Sequence, residues 1–398
     1  MRDYYEFFCP VKIIAGNKAL GHLPYEIENL GASRPMIITD RGVSAAGLVR
    51  HVENSFKNSR IVIGPLFDNV PPDSSLEVVN ELASIYNKND CDSIIAIGGG
   101  SVIDTAKGVN IVVSESSDDL MRFTGAGALK RPLKPLIVVP TTAGTGSEAT
   151  LVAVIADHKK NKKMLFTSHF LMPNIAVIDT RMTLTLPPNI TAATAMDALT
   201  HAVESYICLA KNPISDSYAT GAIKMICENV VDVVKTPSNK KGRLMLAQAS
   251  TMAGIAFSNS MVGLVHTLGH TIGAICKLPH GTAMSILLPF VLEYNMMNDK
   301  SGKVRENLGE LLLFLAGTDN YVKVKPEARA QKAVYYIKEL KDELFRITGL
   351  PRTLAETGKV DYERLEEIAK ASLNDASITY NPVEVDYKDA LNVLRSAF

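Results

Sequence analysis

The chain has 398 residues, 46% apolar and 21% charged, with 42 basic and 42 acidic side chains. That length exceeds what one hydrophobic core serves, so two domains are expected, and the apolar content excludes a disordered chain. The zero formal net charge leaves no global field to draw in nucleic acid or an acidic membrane surface, which excludes polyanion binding as the main role.

The N-terminal stretch MRDYYEFFCP carries charge where a secretory leader needs a clean apolar core, and the apolar run MSILLPFVL is short and interrupted by Pro289. No membrane association and a cytoplasmic location are therefore expected. The cysteines, Cys9, Cys91, Cys208, Cys227 and Cys276, are odd in number, scattered and without a C-x-x-C pair. Reduced thiols suit that pattern better than a disulfide framework.

Up to about residue 185, short β-branched runs (PMIITD, SRIVIG, SIIAIGGG, LIVVPTT, NIAVID) alternate with helical segments such as SSLEVVNELASIYNKN. This predicts an α/β domain over 1–185 with a mostly parallel sheet. After LTLPPN at 184–189 the strand runs stop, and long segments of helical spacing follow, from ITAATAMDALTHAVESYICLA to QKAVYYIKELKDELFRI and YKDALNVLRS. An all-α domain over 186–398 is expected, with Pro187 and Pro188 marking the boundary.

In the first half, IIAIGGGSVIDTAKGVN sets Gly98, Gly99 and Gly100 between a buried strand and a helix expected to begin near Val102. Open backbone N–H groups and a helix N-terminus there suit a phosphate or pyrophosphate; a tight turn needing one glycine at φ > 0 is the alternative. The order is GGGS rather than G-x-G-x-x-G, so the usual dinucleotide fingerprint is absent. A second small and hydroxyl-rich loop, VVPTTAGTGSEAT, follows another strand. Asp40 ends the run PMIITD, where a carboxylate accepts from a ribose and repels a 2′-phosphate, favouring NAD over NADP.

In the second half, four of the eight histidines fall within residues 201–280. Asp197 with His201 and His266 with His270 are i,i+4 pairs, each on one helical face, and His280 follows a helix-breaking Leu-Pro. Either pair alone is as readily an ordinary i,i+4 contact; together with His280 they suit Fe(II) or Zn(II) rather than Mg or Ca. Spacing does not say which of the five residues are ligands, and Cys276, four before His280, is a further candidate. His22, His51, His158 and His169 have no such partners.

With GGGSVIDTAK, PTTAGTGSEAT, TAATAMDALTHAVESY and HTLGHTIGAICKLPHG in this order, the chain resembles the iron-containing (group III) alcohol dehydrogenases over nearly its whole length. The resemblance implies a dehydroquinate synthase-like two-domain fold: an α/β dinucleotide-binding domain, an all-α C-terminal domain, and an active site in the cleft between them. It implies the metal ligands Asp197, His201, His266 and His280, with His270 near the nicotinamide without binding metal; as an imidazole, His270 is the catalytic candidate for passing the released proton to solvent, the alternative being a residue that only orients its neighbours. The implied cofactor contacts are Asp40, Gly99, Gly100, Ser101, Val102, Ile103, Thr141, Thr142, Ala143, Gly144 and Lys163. Two departures stand out: Pro72 and Val152 occupy positions where relatives often carry asparagine.

The implied activity is hydride transfer between NAD and a primary alcohol or diol whose hydroxyl is polarised by Fe(II), or by Zn(II), and the reverse aldehyde reduction. The resemblance also implies a homodimer or an assembly of dimers. Phe257 and the stretch Thr150 to Val152 are expected to line a pocket for short to medium linear alcohols. Alternatives on the same scaffold are a lyase like dehydroquinate synthase, for which the motif segments offer few cations beyond Lys163, and a glycerol dehydrogenase-like enzyme. A metal and nucleotide sensor without catalysis is a third.

Overall fold

Strands that are apolar at every position, without a polar alternation, suit a parallel sheet covered on both faces. The computed structural model describes residues 4–157 and 162–398; His158 lies outside them. By its contacts the chain divides into two units, Phe8–Leu186 and Pro187–Phe398, with residues 4–7 grouped with the second.

The first unit holds strands β1 (Lys12–Gly16), β2 (Pro35–Thr39), β3 (Leu66–Phe67), β4 (Ser93–Gly98), β5 (Gly125–Ala126), β6 (Leu136–Pro140), β7 (Val152–Asp157), β8 (Lys162–Thr167) and β9 (Ile175–Asp179). Its helices are α1 (Leu23–Asn29), α2 (Arg41–Ala45), α3 (Val49–Ser55), α4 (Leu76–Lys88) and α5 (Gly100–Glu115). Six strands form a parallel sheet in the order β1-β9-β6-β4-β2-β3, and β5, β8 and β7 form a small mixed sheet. Side chains alternate between the faces of the main sheet. Ile38, Ile94, Ala96 and Val138 join the core containing Val79, Leu82 and Val109, from α4 and α5. Ile37, Ile95, Ile97, Ile137 and Val139 join Leu23, Ile27, Val49 and Val52, from α1 and α3. Both sets are buried, which accounts for the unbroken apolar runs.

The run SRIVIG at 59–64 departs from expectation, since it forms no strand. Its Val62 and Gly64 N–H groups bond the carbonyls of Ser33 and Pro35, largely ahead of β2, and the ladder that follows is the two-residue β3. Strand preference is realised only where a partner edge continues.

Register sets the functional edge of the sheet. Thr39 lies opposite Ile97, and Gly98 opposite Pro140, so the residues that follow β2, β4 and β6 emerge side by side. In open α/β sheets, ligands bind at that carboxyl end.

The second unit comprises α6 (Pro188–Ile207), α7 (Pro213–Lys235), α8 (Lys240–Ser260), α9 (Leu264–Cys276), α10 (His280–Asn298), α11 (Lys303–Ala316), α12 (Thr318–Lys323), α13 (Arg329–Thr348), α14 (Leu365–Ser372) and α15 (Tyr387–Ala397), with no strand among its described residues. Proline at the first position opens α6 and α7, and Asn212 caps α7 reciprocally with Ser215. Every residue of α6 from Ala195 to Ile207 is buried, as expected of a helix apolar on all sides. Pro289 sits inside α10, which continues through it. Among the described residues no helix is long and apolar enough to cross a membrane.

Candidate functional site

Asp197 and His201 are one turn apart in α6, the helix whose middle is wholly buried. His266 lies in the first turn of α9, and His280 opens α10 directly after its N-cap, Pro279. One ligand atom from each of the four lies within 4.8 Å of all the others. His280 Nε2 is 3.3 Å and His201 Nδ1 3.7 Å from Asp197 Oδ1, and the rings of His201 and His266 are 4.4 Å apart.

Three of the converging atoms, Asp197 Oδ1, His201 Nδ1 and His266 Nε2, are buried without a hydrogen-bond partner. Leaving one such group unsatisfied is expensive, and three pointing to one spot is not chance packing. A cation offsets all three at once, and three imidazole nitrogens with one carboxylate oxygen fit iron or zinc. The residues therefore fit the metal that the sequence implies. Burial alone would raise the pKa of Asp197, but neighbouring His201 and His280 outweigh it and hold the carboxyl well below its usual range. Burial pushes His201 down to about 3 against the pull of Asp197, and burial together with His280 takes His266 well below its ordinary value. Both imidazoles are thus neutral, with lone pairs to donate.

Two carboxylates missed by sequence reasoning orient the histidines. Glu204, seven residues after Asp197 on the same face of α6, places Oε2 2.6 Å from His266 Nδ1, while Oε1 accepts from the Val265 N–H at 2.7 Å. Nδ1–H then points to Glu204 and the lone pair is left on Nε2, on the side of the cluster. Burial lifts Glu204 to about 7, against the backbone N–H groups of Val265, Gly263 and His266. A third polar residue on one face of an otherwise apolar helix was the signal available in the sequence. No such signal existed for Asp375. Its Oδ2 lies 2.9 Å from His270 Nδ1, and its Oδ1 accepts from the Ser377 N–H.

His270 is outside the group of four, but its ring stacks on His280 with centroids 5.4 Å apart. Phe257 stacks on the His201 ring, with centroids 4.5 Å apart. Cys276 ends α9 and, among the described residues, does not belong to the group. His169 packs against Phe8 in the first unit; His22 and His51 lie on the segments around α1 and α3 of that same unit, and among the described residues none of the three belongs to the group.

In the first unit, Gly98 ends β4, Gly99 is the N-cap of α5 and Gly100 opens it, two residues before the expected start at Val102. None of the three has positive φ, so left-handed backbone is not what they provide. They permit close approach. A Cβ on Gly98 would lie 2.5 Å from Val102 Cγ2, one on Gly99 3.1 Å from Thr142 Oγ1, and one on Gly100 2.9 Å from Thr145 Cγ2. The glycine turn and the hydroxyl loop are thereby pressed together, and the N–H groups of the first turn, Gly100, Ser101 and Val102, have no intrahelical partners. Ile103 is already bonded within the helix, to Gly99 O. Such a cradle, closed to any Cβ, fits a dinucleotide pyrophosphate.

Thr141 bonds through its N–H to Gly98 O, and Ala143 and Gly144 are buried, with Thr142 half-buried beside them. Asp40 caps α2 by accepting from the Val43 N–H at 3.0 Å. Lys163 in β8 pairs with Asp73 at 3.1 Å. The Pro72 carbonyl accepts from Ser101 Oγ, a bond that needs no asparagine side chain at that position. Val152 opens β7.

Residues 10–180 match the family described as iron-containing alcohol dehydrogenase, and residues 191–398 match the C-terminal part of the same family. The chain is 30% identical to the NAD-dependent methanol dehydrogenase of Bacillus methanolicus over 393 residues, covering 98% of this chain and 99% of that one. It is 32% identical to the 1,3-propanediol dehydrogenase of Citrobacter freundii over 400 residues, covering 99% of each. Among solved structures, a 1,3-propanediol oxidoreductase superposes with a TM-score of 0.93 at 30% identity, covering 99% of this chain and 100% of the other.

Proposed function

Because the chain belongs to the iron-containing alcohol dehydrogenase family, it is an NAD-linked oxidoreductase of alcohols and aldehydes, and we propose the substrate class, the residues and their roles as follows. The substrates are short to medium linear primary alcohols or diols and the corresponding aldehydes, with NAD used in preference to NADP. Residues 1–185 form the dinucleotide-binding domain and 186–398 the metal-binding one. The observation that carries the reading is the convergence of three buried, unpartnered donor atoms, Asp197 Oδ1, His201 Nδ1 and His266 Nε2, with His280 as the fourth ligand.

When bound, Fe(II), or Zn(II) in its place, supplies Lewis acidity toward the alcohol oxygen, and the nicotinamide is the hydride acceptor. The chain's own residues do the rest. Gly99, Gly100, Ser101 and Val102 hold the pyrophosphate at the α5 N-terminus, with Ile103 fixing that turn through its bond to Gly99 O. Thr141, Thr142, Ala143 and Gly144 close over the pyrophosphate, and Asp40 and Lys163 take ribose hydroxyls. Apolar Phe257, flat on His201, excludes water beside the substrate carbon. His270 gives its Nδ1–H to Asp375, so Nε2 is the atom that takes the alcohol proton; the side chain is 41% exposed and can return that proton to solvent. Five free cysteines support a cytoplasmic setting, and kinship supports a homodimer or an assembly of dimers.

The test is NADH formation across a series of alcohols and diols, with protein prepared without oxygen and reconstituted separately with Fe(II) and Zn(II). Net NADH with simple alcohols is expected. Elimination of phosphate from a substrate without net NADH would replace the reading by the lyase one, and tight NAD and metal binding with no absorbance change would replace it by a sensor. An H270A enzyme with unchanged turnover and pH dependence would remove His270 from its role.

A further inference from the structure

Lys107 lies in the second turn of α5 and is fully buried. A lysine buried to that degree is unusual and requires several acceptors. Its Nζ donates to Thr150 O and Val152 O, both at 2.8 Å, to Thr150 Oγ1 at 3.0 Å and, more weakly, to Ser147 Oγ at 3.3 Å. All four acceptors belong to residues 147–152, the segment that leads from the hydroxyl loop into β7. Between the short turn Ser147–Ala149 and β7, this segment has no ladder of its own to satisfy the Thr150 carbonyl, and the ammonium does so instead.

Asp104, one turn earlier on the same helix, grips the same segment. It accepts from Ser147 Oγ at 2.8 Å and from the Val154 N–H at 3.0 Å. Ser147 Oγ thus stands between the two charged groups. The residue after Lys107 is a glycine packed against the same strand: a Cβ on Gly108 would lie 2.4 Å from Ile155 Cδ1 in β7. The buried charge is not isolated. Burial draws Lys107 down to about 8, and Asp104 and Glu148 counteract it, so the ammonium persists at neutral pH.

The hydroxyl loop therefore has two fixed ends. At its start, Thr141 N–H is bonded to Gly98 O, where β6 ends beside β4. At its finish, Lys107 and Asp104 hold residues 147–154. Between these ends, Thr142 and Thr145 lie in contact distance of where any side chain on Gly99 or Gly100 would be.

We propose that Lys107 is a positioning residue for the dinucleotide: with Asp104 it clamps the segment 147–152 to α5 and so holds the Thr141–Gly146 loop against the glycine turn. The proposal rests on the reading that these two loops bind NAD. Lys107 touches no cofactor itself. It acts through the loop, and its loss weakens dinucleotide binding while the metal ligands, all on helices of the other unit, are left as they were.

The experiment uses the full chain loaded with metal. NAD affinity is measured by calorimetry, amide hydrogen exchange over 141–152 without cofactor, and metal affinity by titration, for the native protein, K107M and S147A. K107M keeps the length and apolar stem but has no donor; S147A removes only the hydroxyl between Lys107 and Asp104 and is the variant to rely on if K107M does not fold. The expected result is an NAD dissociation constant raised at least tenfold in K107M and several-fold in S147A, appearing in KM for NAD, with faster exchange over 141–152 and unchanged metal affinity. A general loss of core packing would instead lower melting temperature and leave NAD affinity at low temperature intact, and that result in S147A or in folded K107M overturns the clamp. Failure of the native protein to bind NAD at all would overturn the parent reading with it, whereas normal native binding that neither variant alters sinks the clamp alone.

Discussion

Oε2 of Glu204 lies 2.6 Å from Nδ1 of His266, both side chains being 2% exposed, and this contact decides which nitrogen of His266 faces the other three ligands. In Glu204→Gln the amide oxygen can keep the Val265 N–H bond, but the amide nitrogen then donates to Nδ1 and moves the ring proton to Nε2, the atom that must be bare. Metal affinity is expected to fall roughly 10–100-fold with the far-ultraviolet spectrum preserved. Titration of stripped protein with Fe(II) and Zn(II) checks this; equal affinities in native and variant would show that Glu204 only caps α9.

Asp197, His201 and His266 each carry a buried atom without a hydrogen bond, so the metal contributes to folding as well as to chemistry. At free metal 100-fold above its dissociation constant the ion stabilises by about 2.7 kcal/mol, roughly 5–10 °C in melting temperature for a unit of this size. Calorimetry of chelated and reloaded protein measures the shift. Amide exchange should quicken in α6, α9 and α10 on chelation; a uniform change across α11 to α15 as well would argue against a local effect.

Gly281 follows His280, and a Cβ there would lie 2.5 Å from Ala193 O and 2.9 Å from Ala193 C. These are backbone atoms of α6, four residues before Asp197, and they cannot step aside. Gly281→Ala is expected to destabilise by about 1–3 kcal/mol and to weaken metal binding without touching a ligand. Gly269→Ala is the control: its Cβ meets the terminal Cε of Met284, which can rotate. Denaturant unfolding should rank the two; a milder effect at Gly281 than at Gly269 would contradict the backbone argument.

Lys341 in α13 is 5% exposed, donates to Arg352 O at 3.1 Å and lies over the Phe290 ring. Burial takes its pKa from 10.5 down to about 8. Between these values the unfolded chain holds a proton that the native one has released, so stability rises with pH across the window, and the penalty of burying the ammonium is complete below about pH 8. Lys341→Met removes that dependence. Relative to the variant, the native protein should gain on the order of 3 kcal/mol from pH 8 to 10.5, measured as the difference between two urea titration series. Parallel series would mean that the ammonium is not desolvated.

The strands β2, β4, β6 and β9 and the helix α6 were legible because each is written in a local period: apolar at every residue for a sheet covered twice, and Asp197 with His201 at i,i+4 within an apolar helix. The glycine turn was legible as well, though for another reason than a left-handed turn. At Gly99 and Gly100 the obstacle to a side chain is Thr142 and Thr145, more than forty residues further on, which no local pattern reveals. The run at 59–64 shows the same limit from the other side: its β-branched residues have the preference but no continuing edge to pair with.

Residue order alone thus determined which side chains share a face of one element, since 3.6 and 2 residues per repeat are properties of the backbone itself. Tertiary packing decided which faces meet. It turned Glu204 onto His266, brought Asp375 to His270 across 105 residues, and sealed Lys107 against Thr150 and Val152. Those contacts depend on the mutual placement of distant elements, which many apolar contacts fix jointly and no single spacing records.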